Sequence, residues 1–357
     1  MLAYIFKRLW LMIPTLFGVL LLSFIVIQFV PGGPIEQALY ELKHSGAQQE
    51  ASSGNAGSSL TNTSGYQGRS GVREEYIDAL KQQYGFDKPA HERFWIMIKQ
   101  YAQFNLGDSF FYHKSVGDLI LEKLPVSISL GFWSFLLTYL IAIPLGIGKA
   151  VRDGSRFDAA SSVALLIAYA VPSFVLGVIL LVLFGGGSFM SWFPLRGLVS
   201  DNFDELSWGA KIIDYAWHLA LPVFATVVSG LASLVFLTKN TFLEEMSKAY
   251  VITARAKGLS ERVIFYRHVL RNALLPIIAS LPGALIASFF ASSLLIETLF
   301  SLDGLGQLGY EAIMRRDYPV VMGSLYIFTL LGLLIKLLTD VLYVWIDPRV
   351  RFSAGKI

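Results

Sequence analysis

"AYVITARAKGLSERVIFYRHVLRNALLP", Ala249–Pro276, decides how the chain is read. It is basic, and its less polar residues recur at helical spacing on both sides of one glycine, Gly258. Before that glycine, Met246, Ala249, Tyr250, Thr253 and Ala254 share a helical face. Gly258 offers a position where the backbone can take a positive φ and stop the helix. Ser260 is placed to cap a second helix, and Glu261 suits the N-terminal dipole of that helix. Val263, Ile264, Tyr266 and Leu270 then continue an apolar face. Long apolar runs flank this charged helix–glycine–helix on both sides, so its setting has to be read with it.

That setting is a bilayer. Of 357 residues, 54% are hydrophobic and 15% charged, where a soluble domain carries about 25% charged residues. The spacing predicts six spans, at 9–30, 126–148, 159–187, 215–238, 273–297 and 319–346, each near the roughly 20 apolar residues that a membrane helix needs. Pro144, Pro172, Pro222 and Pro282 fall inside or beside them and are expected to bend the helices rather than break them. The first run follows Lys7 and Arg8 but ends in "QFVPGGP", without a small-x-small cleavage site. It reads as an uncleaved span, being longer than a signal-peptide core.

Basic residues near span ends set orientation. Lys7 and Arg8, then Lys149, Arg152 and Arg156, lie on one side. The same side takes Lys239, Lys248, Arg255, Lys257, Arg262, Arg267 and Arg271, and finally Arg349, Arg351 and Lys356. The short loops opposite hold Arg196, Lys211, Arg315 and Arg316. Both termini are therefore expected in the cytoplasm. The organisation expected is an N-terminal span at 1–30, an outer segment at 31–125, a five-helix core at 126–346 and a cytoplasmic tail at 347–357. Within the outer segment, 44–71 is Ser/Gly/Asn-rich and reads as disordered. Residues 73–123 have helical spacing and read as a small cap, either a brace for span ends or a docking surface. The fold class is all-α and polytopic.

For the basic loop, three readings stand open: a helix lying on anionic lipid, orientation charge alone, or a docking element for a soluble cytoplasmic partner. Ala254, Ala256 and Gly258 are small enough for close approach by such a partner. Catalytic chemistry is poorly served. Cysteine is absent, the five histidines are scattered, and neither a metal-ligand spacing nor a nucleophile–base set is present. "GIGKA" at Gly146–Ala150 lacks the first glycine and the Ser/Thr of a phosphate loop, so ATP has to be hydrolysed elsewhere. A net charge of +3 gives no argument for nucleic acid. Ionisable residues in spans are functional candidates. Lys336 and Asp340, at i,i+4, either neutralise each other or face a passage. Glu297 either bonds the adjoining loop or faces that passage. Ser288, Ser292 and Ser293 follow a small-residue face that packs on a helix or lines the passage.

The loop resembles the cytoplasmic EAA loop of ATP-binding-cassette importer permeases, whose general form is EAA-x3-G-x9-I-x-L-P. Ala254 and Gly258 match the second alanine and the glycine. Ile252 and Thr253 replace Glu and the first Ala, His268 and Leu270 stand at I-x-L, and Arg271 replaces the proline. These departures resemble the dipeptide/oligopeptide branch, which reads "YV-x-TARAKG…H-x-LRNALLP". "RLWLMIPTLFGVLLLSFIVIQFVPGGP", "LPVSISLGFWSFLL", "SLLIETLFSLDGLGQLGYEAIMRRDYPVVMGSLY" and "YVWIDPRVR" carry the likeness along nearly the whole chain. The Ser/Gly insertion and "FPLRGLVSDNFD" are similar to the Yej-type oligopeptide permeases, a type also implicated in peptide-antibiotic uptake.

The resemblance implies the type I importer fold with about six spans and a helical periplasmic cap, in a bacterial inner membrane. It implies a second homologous permease, a cytoplasmic ATPase that carries ATP and Mg, a periplasmic peptide-binding protein, surrounding membrane lipid and a peptide substrate, with no cofactor on this chain. The coupling loop is then 239–272, with Tyr250, Ala254, Arg255, Ala256, Lys257, Gly258, Leu259, His268 and Arg271 meeting the ATPase. The rival expectation is a secondary transporter driven by an ion gradient, although no internal repeat is visible. Deleting 44–71 is expected to leave peptide uptake near the wild-type rate. A folded, membrane-inserted but inactive deletion variant in an uptake assay would contradict this.

Overall fold

The structure is a computed structural model that describes residues 2–29, 88–185, 189–290 and 293–346. The insertion read at 44–71, the expected helix at the start of the cap and the tail at 347–357 lie outside these residues. Among them there is no strand, only a lone antiparallel bridge between Asp108 and Ser115. The helices are α1 (Leu2–Phe29), α2 (Ala90–Tyr101), α3 (Val116–Val151), α4 (Arg156–Ala170), α5 (Ser173–Leu180) and α6 (Trp208–Met246). After them come α7 (Ala249–Ala256), α8 (Glu261–Ala273), α9 (Leu275–Phe290), α10 (Ser293–Leu299), α11 (Leu305–Met314) and α12 (Tyr318–Ile346).

Among the described residues, four helices are long and apolar enough to cross a membrane: Ile5–Phe29, Val116–Val151, Trp208–Met246 and Tyr318–Val341. The number is up to six when each of two bent pairs counts as one span: α4 with Ser173–Gly185 at 91°, and α8 with Leu275–Ile286 at 42°. The prolines explain the difference from simple bends. Pro144, Pro222 and Pro282 sit inside continuous helices. At Pro172 the preceding residue, Val171, is driven to extended φ −90° and ψ 117°, and the helix stops. Pro172 therefore turns the third span almost through a right angle, where the sequence suggested a gentler bend. α6 has 39 residues. At about 1.5 Å each it is near 58 Å long, well beyond the roughly 30 Å of hydrocarbon, so its ends project from the apolar layer.

The chain divides into two compact units, Met1–Met12 with Leu121–Tyr310 and Leu330–Ile357, and Ile13–Ile120 with Glu311–Thr329. In the first, α6 packs along α4 and α5. Leu219, Val223, Ile296, Phe300 and Leu302 make one buried cluster, and Ala142, Leu165, Val235 and Ile277 another. α3 meets α6 at Gly146, where a Cβ would stand 2.5 Å from Thr238 Cβ and 2.8 Å from the Val235 carbonyl oxygen. In the second unit α2 rests on α1. Phe94 lies between Phe17 and Phe24, with ring centroids 5.6 and 5.3 Å away, and Arg93 donates to Gln28 at 2.8 Å. The turn after α2 is held by the Asp317 carboxylate, which accepts from the Ser109 hydroxyl at 2.5 Å, and by Tyr112, which donates to Glu311 at 2.6 Å.

Gly146→Ala is expected to wedge α3 from α6 and to destabilise the protein by about 1–3 kcal/mol, the usual cost of overpacking. Thermal unfolding in detergent checks it, and an unchanged melting temperature would show that the crossing can relax.

Candidate functional site

The helix–glycine–helix of the sequence is present. α6 ends at Met246, Lys248 breaks into extended backbone, and α7 begins at Ala249. Gly258 has φ +79°. The turn closes α7 with two crossed bonds, Leu259 N–H to the Ala254 carbonyl at 3.3 Å and Gly258 N–H to the Arg255 carbonyl at 2.9 Å. These satisfy carbonyls that the helix end would leave open, and they require a left-handed residue at Gly258. The expected Ser260 cap does not form: its side chain makes no capping bond. Glu261 turns back instead, accepting from Arg255 Nε at 2.7 Å and Nη2 at 3.1 Å, which straps α7 to α8 across the glycine. Beside Glu261 the Arg255 guanidinium pKa is held above its ordinary value.

Only part of this element faces outward. Val251 and Ala254 are buried with Ile264, Val269 and Ala273 of α8, Phe242 of α6 and Ala150 of α3. Ala254 therefore packs inside the chain's own core, while its neighbours on the other side of α7 face outward. Arg255, Ala256, Lys257, Gly258, Leu259 and Arg271 are exposed, while Tyr250 and His268 are half-buried. The middle of α8, Ile264–Val269, is a π-helix. Helical periodicity does not distinguish that wider turn, which is common at functional sites.

Tyr250 ties the element together. Its hydroxyl donates to Glu245 at 2.5 Å, accepts from the Asn272 amide at 3.2 Å and lies 3.2 Å from the His268 carbonyl oxygen. Glu245 also takes the Lys248 ammonium at 2.5 Å. Burial, with the Glu245 bond adding to it, raises the Tyr250 pKa, and the Glu245 bond raises that of Lys248. Sequence reasoning missed Glu245 and Asn272. Their signal was weak, since a polar residue near a helix end in a basic loop looks like ordinary solvated surface.

The residues proposed for a passage have different surroundings where they are described. Glu297 is fully buried. It accepts from Gln307 N–H at 2.8 Å and from the Ser127 hydroxyl at 3.1 Å, and Ser127 in turn accepts from Leu305 N–H at 2.8 Å. Its carboxylate thus sits at the N-terminus of α11, where the helix dipole favours a negative charge. It bonds the adjoining loop. Asp340 does not neutralise Lys336: its carboxylate is 3.1 Å from Arg8, and Lys336 is exposed. Ser288 is half-buried, Ser292 lies outside the described residues, and the side chain of Ser293 is likewise undescribed. Lys149, read as an orientation charge, is completely buried against Asp158. Asp153 and Asp158, set among cations at a span end, were the available signal.

Comparison with known proteins adds a family. Residues 142–352 match the model of the binding-protein-dependent transport system inner membrane component family. The chain is 55% identical to the peptidoglycan transport system permease protein YejB of Agrobacterium fabrum, over 98% of each chain. It is 50% identical to the inner membrane ABC transporter permease protein YejB of Escherichia coli O157:H7, over 98% of this chain and 99% of that one. With the oligopeptide transport system permease protein AppB of Bacillus subtilis the identity is 31%, over 99% of this chain and 100% of that one.

Removing the hydroxyl in Tyr250→Phe leaves Glu245 and Asn272 each short of a bond. About 1–3 kcal/mol of local stability is expected to go with it. Hydrogen exchange across 249–272 reports this directly, and unaltered protection would show that water replaces the hydroxyl without loss.

Proposed function

This chain belongs to the binding-protein-dependent transport system inner membrane component family, and from that premise we propose how its exposed turn serves the transporter. The chain is a multi-pass inner-membrane permease subunit of an ATP-binding-cassette peptide importer. The names of its relatives, one for peptidoglycan transport and one for oligopeptides, support peptide-bearing molecules as its cargo. Family membership sets aside the ion-gradient transporter. ATP and Mg are bound and turned over on a separate cytoplasmic ATPase. A second homologous permease completes the passage, lipid surrounds both, and a periplasmic protein delivers the peptide. Both termini lie in the cytoplasm, as the distribution of Lys and Arg supports.

One observation carries the coupling reading. α7 buries Val251 and Ala254 in the chain's own core while it presents Arg255–Leu259 outward. An element built this way is stiffly held on one face and free to be gripped on the other. The ATPase grips that turn, and closure of its two nucleotide sites carries α7 and α8 with it. The spans then open outward, peptide enters from the binding protein, and hydrolysis resets them.

The test is Gly258→Val. A Cβ there meets open space, so nothing nearby clashes and the cost is the left-handed backbone, about 1–2 kcal/mol for an L-residue. Insertion is expected to survive, while ATP hydrolysis runs on with little peptide uptake in proteoliposomes holding the whole transporter. Wild-type uptake per ATP would sink the coupling role.

A further inference from the structure

The coupling turn stands on a buried patch, and the patch ends in charge. Ala150 packs in the same cluster as Val251, Ala254 and Ile264. Its neighbour Lys149 has no solvent exposure. From α3, Lys149 Nζ donates to the Asp158 carbonyl oxygen at 2.8 Å and to the Ser161 and Ser162 hydroxyls of α4 at 2.9 and 2.7 Å. It also lies 2.9 Å from Asp158 Oδ1. The three ammonium protons are thereby all engaged. Asp158 Oδ2 accepts from Lys239 of α6 at 2.7 Å, and Lys239 reaches on to Asp153 at 2.8 Å. The Phe236 ring of α6 closes the site 5.7 Å from Lys149 Nζ. Two cations and two anions balance, so the group is neutral as a whole and costly to take apart.

Orientation does not require this arrangement, because an exposed lysine would serve that purpose as well. A buried charge that loses its partner is strongly unfavourable, so helix ends that share such a pair cannot part independently. Three helices share this one near their ends, and the adjacent residue, Ala150, belongs to the same buried cluster as Val251 and Ala254 of the coupling element. We propose that the Lys149–Asp158–Lys239 cluster is a positioning device that makes the adjoining ends of α3, α4 and α6 follow the coupling turn as one body. The inference rests on the coupling role given above to α7 and Gly258. Lys149 and Asp158 touch neither peptide nor nucleotide in this scheme. They act through the helices they join.

The experiment uses the complete reconstituted transporter and reads ATP hydrolysed per peptide taken up. Lys149→Met combined with Asp158→Asn removes both charges together and leaves no lone buried ion. It is expected to raise the ratio about fivefold, within the range by which substitutions along a coupled network alter coupling. Assembly with the ATPase should be unchanged. Ser161→Ala with Ser162→Ala keeps the ion pair but takes two of Lys149's acceptors, and about a twofold rise is expected on the same grounds. Should the charge-free chain fail to assemble, the serine variant decides alone. A merely structural cluster would lower thermal stability and leave the ratio at the wild-type value in assembled complexes, which overturns the proposal. Gly258→Val run in parallel separates the two ideas. A raised ratio there, with wild-type ratios in the cluster variants, overturns this inference and leaves the coupling reading standing. A wild-type ratio in Gly258→Val removes the coupling reading and this inference with it.

Discussion

An ammonium group with no water in reach has to find every partner it needs on neighbouring parts of the chain. Lys149 is in that position, fully enclosed and bonded to α4, with α6 joined through the second oxygen of Asp158. Apolar packing between spanning helices lets them slide and rotate at small cost, because lipid tails are as apolar as leucine. A shared buried ion pair does not, since its energy falls sharply once an oxygen leaves its place. The close crossing at Gly146 and Thr238 lies one turn away and fixes the separation of α3 and α6 by contact rather than by charge.

Glu297 repeats the same logic at another point of that unit. A carboxylate with no exposure is tolerable because the Ser127 hydroxyl and the Gln307 amide of α11 donate to it. Asp340 likewise turns to Arg8 near the start of the chain. In both cases an ionisable group that could have marked a passage serves to hold helices together. Charge in a span is thus an ambiguous sign of transport until its neighbours are known.

The coupling element answers a different demand. In the coupling role proposed above it has to be firm enough to carry force and exposed enough to be held by the ATPase. Val251 and Ala254 supply the firmness by burial, and the Tyr250 hydroxyl adds three polar neighbours from the end of α6 and from α8. The crossed bonds around Gly258 end α7 abruptly, so the outward turn is short.

Much of this was legible before any coordinates. Membrane class, long apolar spans and the helix–glycine–helix follow from hydropathy and period, because the bilayer imposes length and the helix imposes spacing. Gly258 was legible for a local reason, since positive φ is a property of one residue and its own Cβ. What escaped depends on atoms far apart in sequence. Pro172 turns its helix through 91° while Pro144, Pro222 and Pro282 leave theirs continuous. Which of these a proline does depends on whether neighbouring helices re-satisfy the freed carbonyl. Ala254 turned inward and Ser260 left its cap unmade because packing with α3 and α6 and the Arg255–Glu261 strap outweighed local preference. Lys149 at a span end is sealed in an ion cluster, while Lys336 inside a span is exposed. By itself the sequence determined where helices form and which turn is special. The tertiary structure alone decided which charges are buried, because burial is a property of what surrounds a residue and not of the residue.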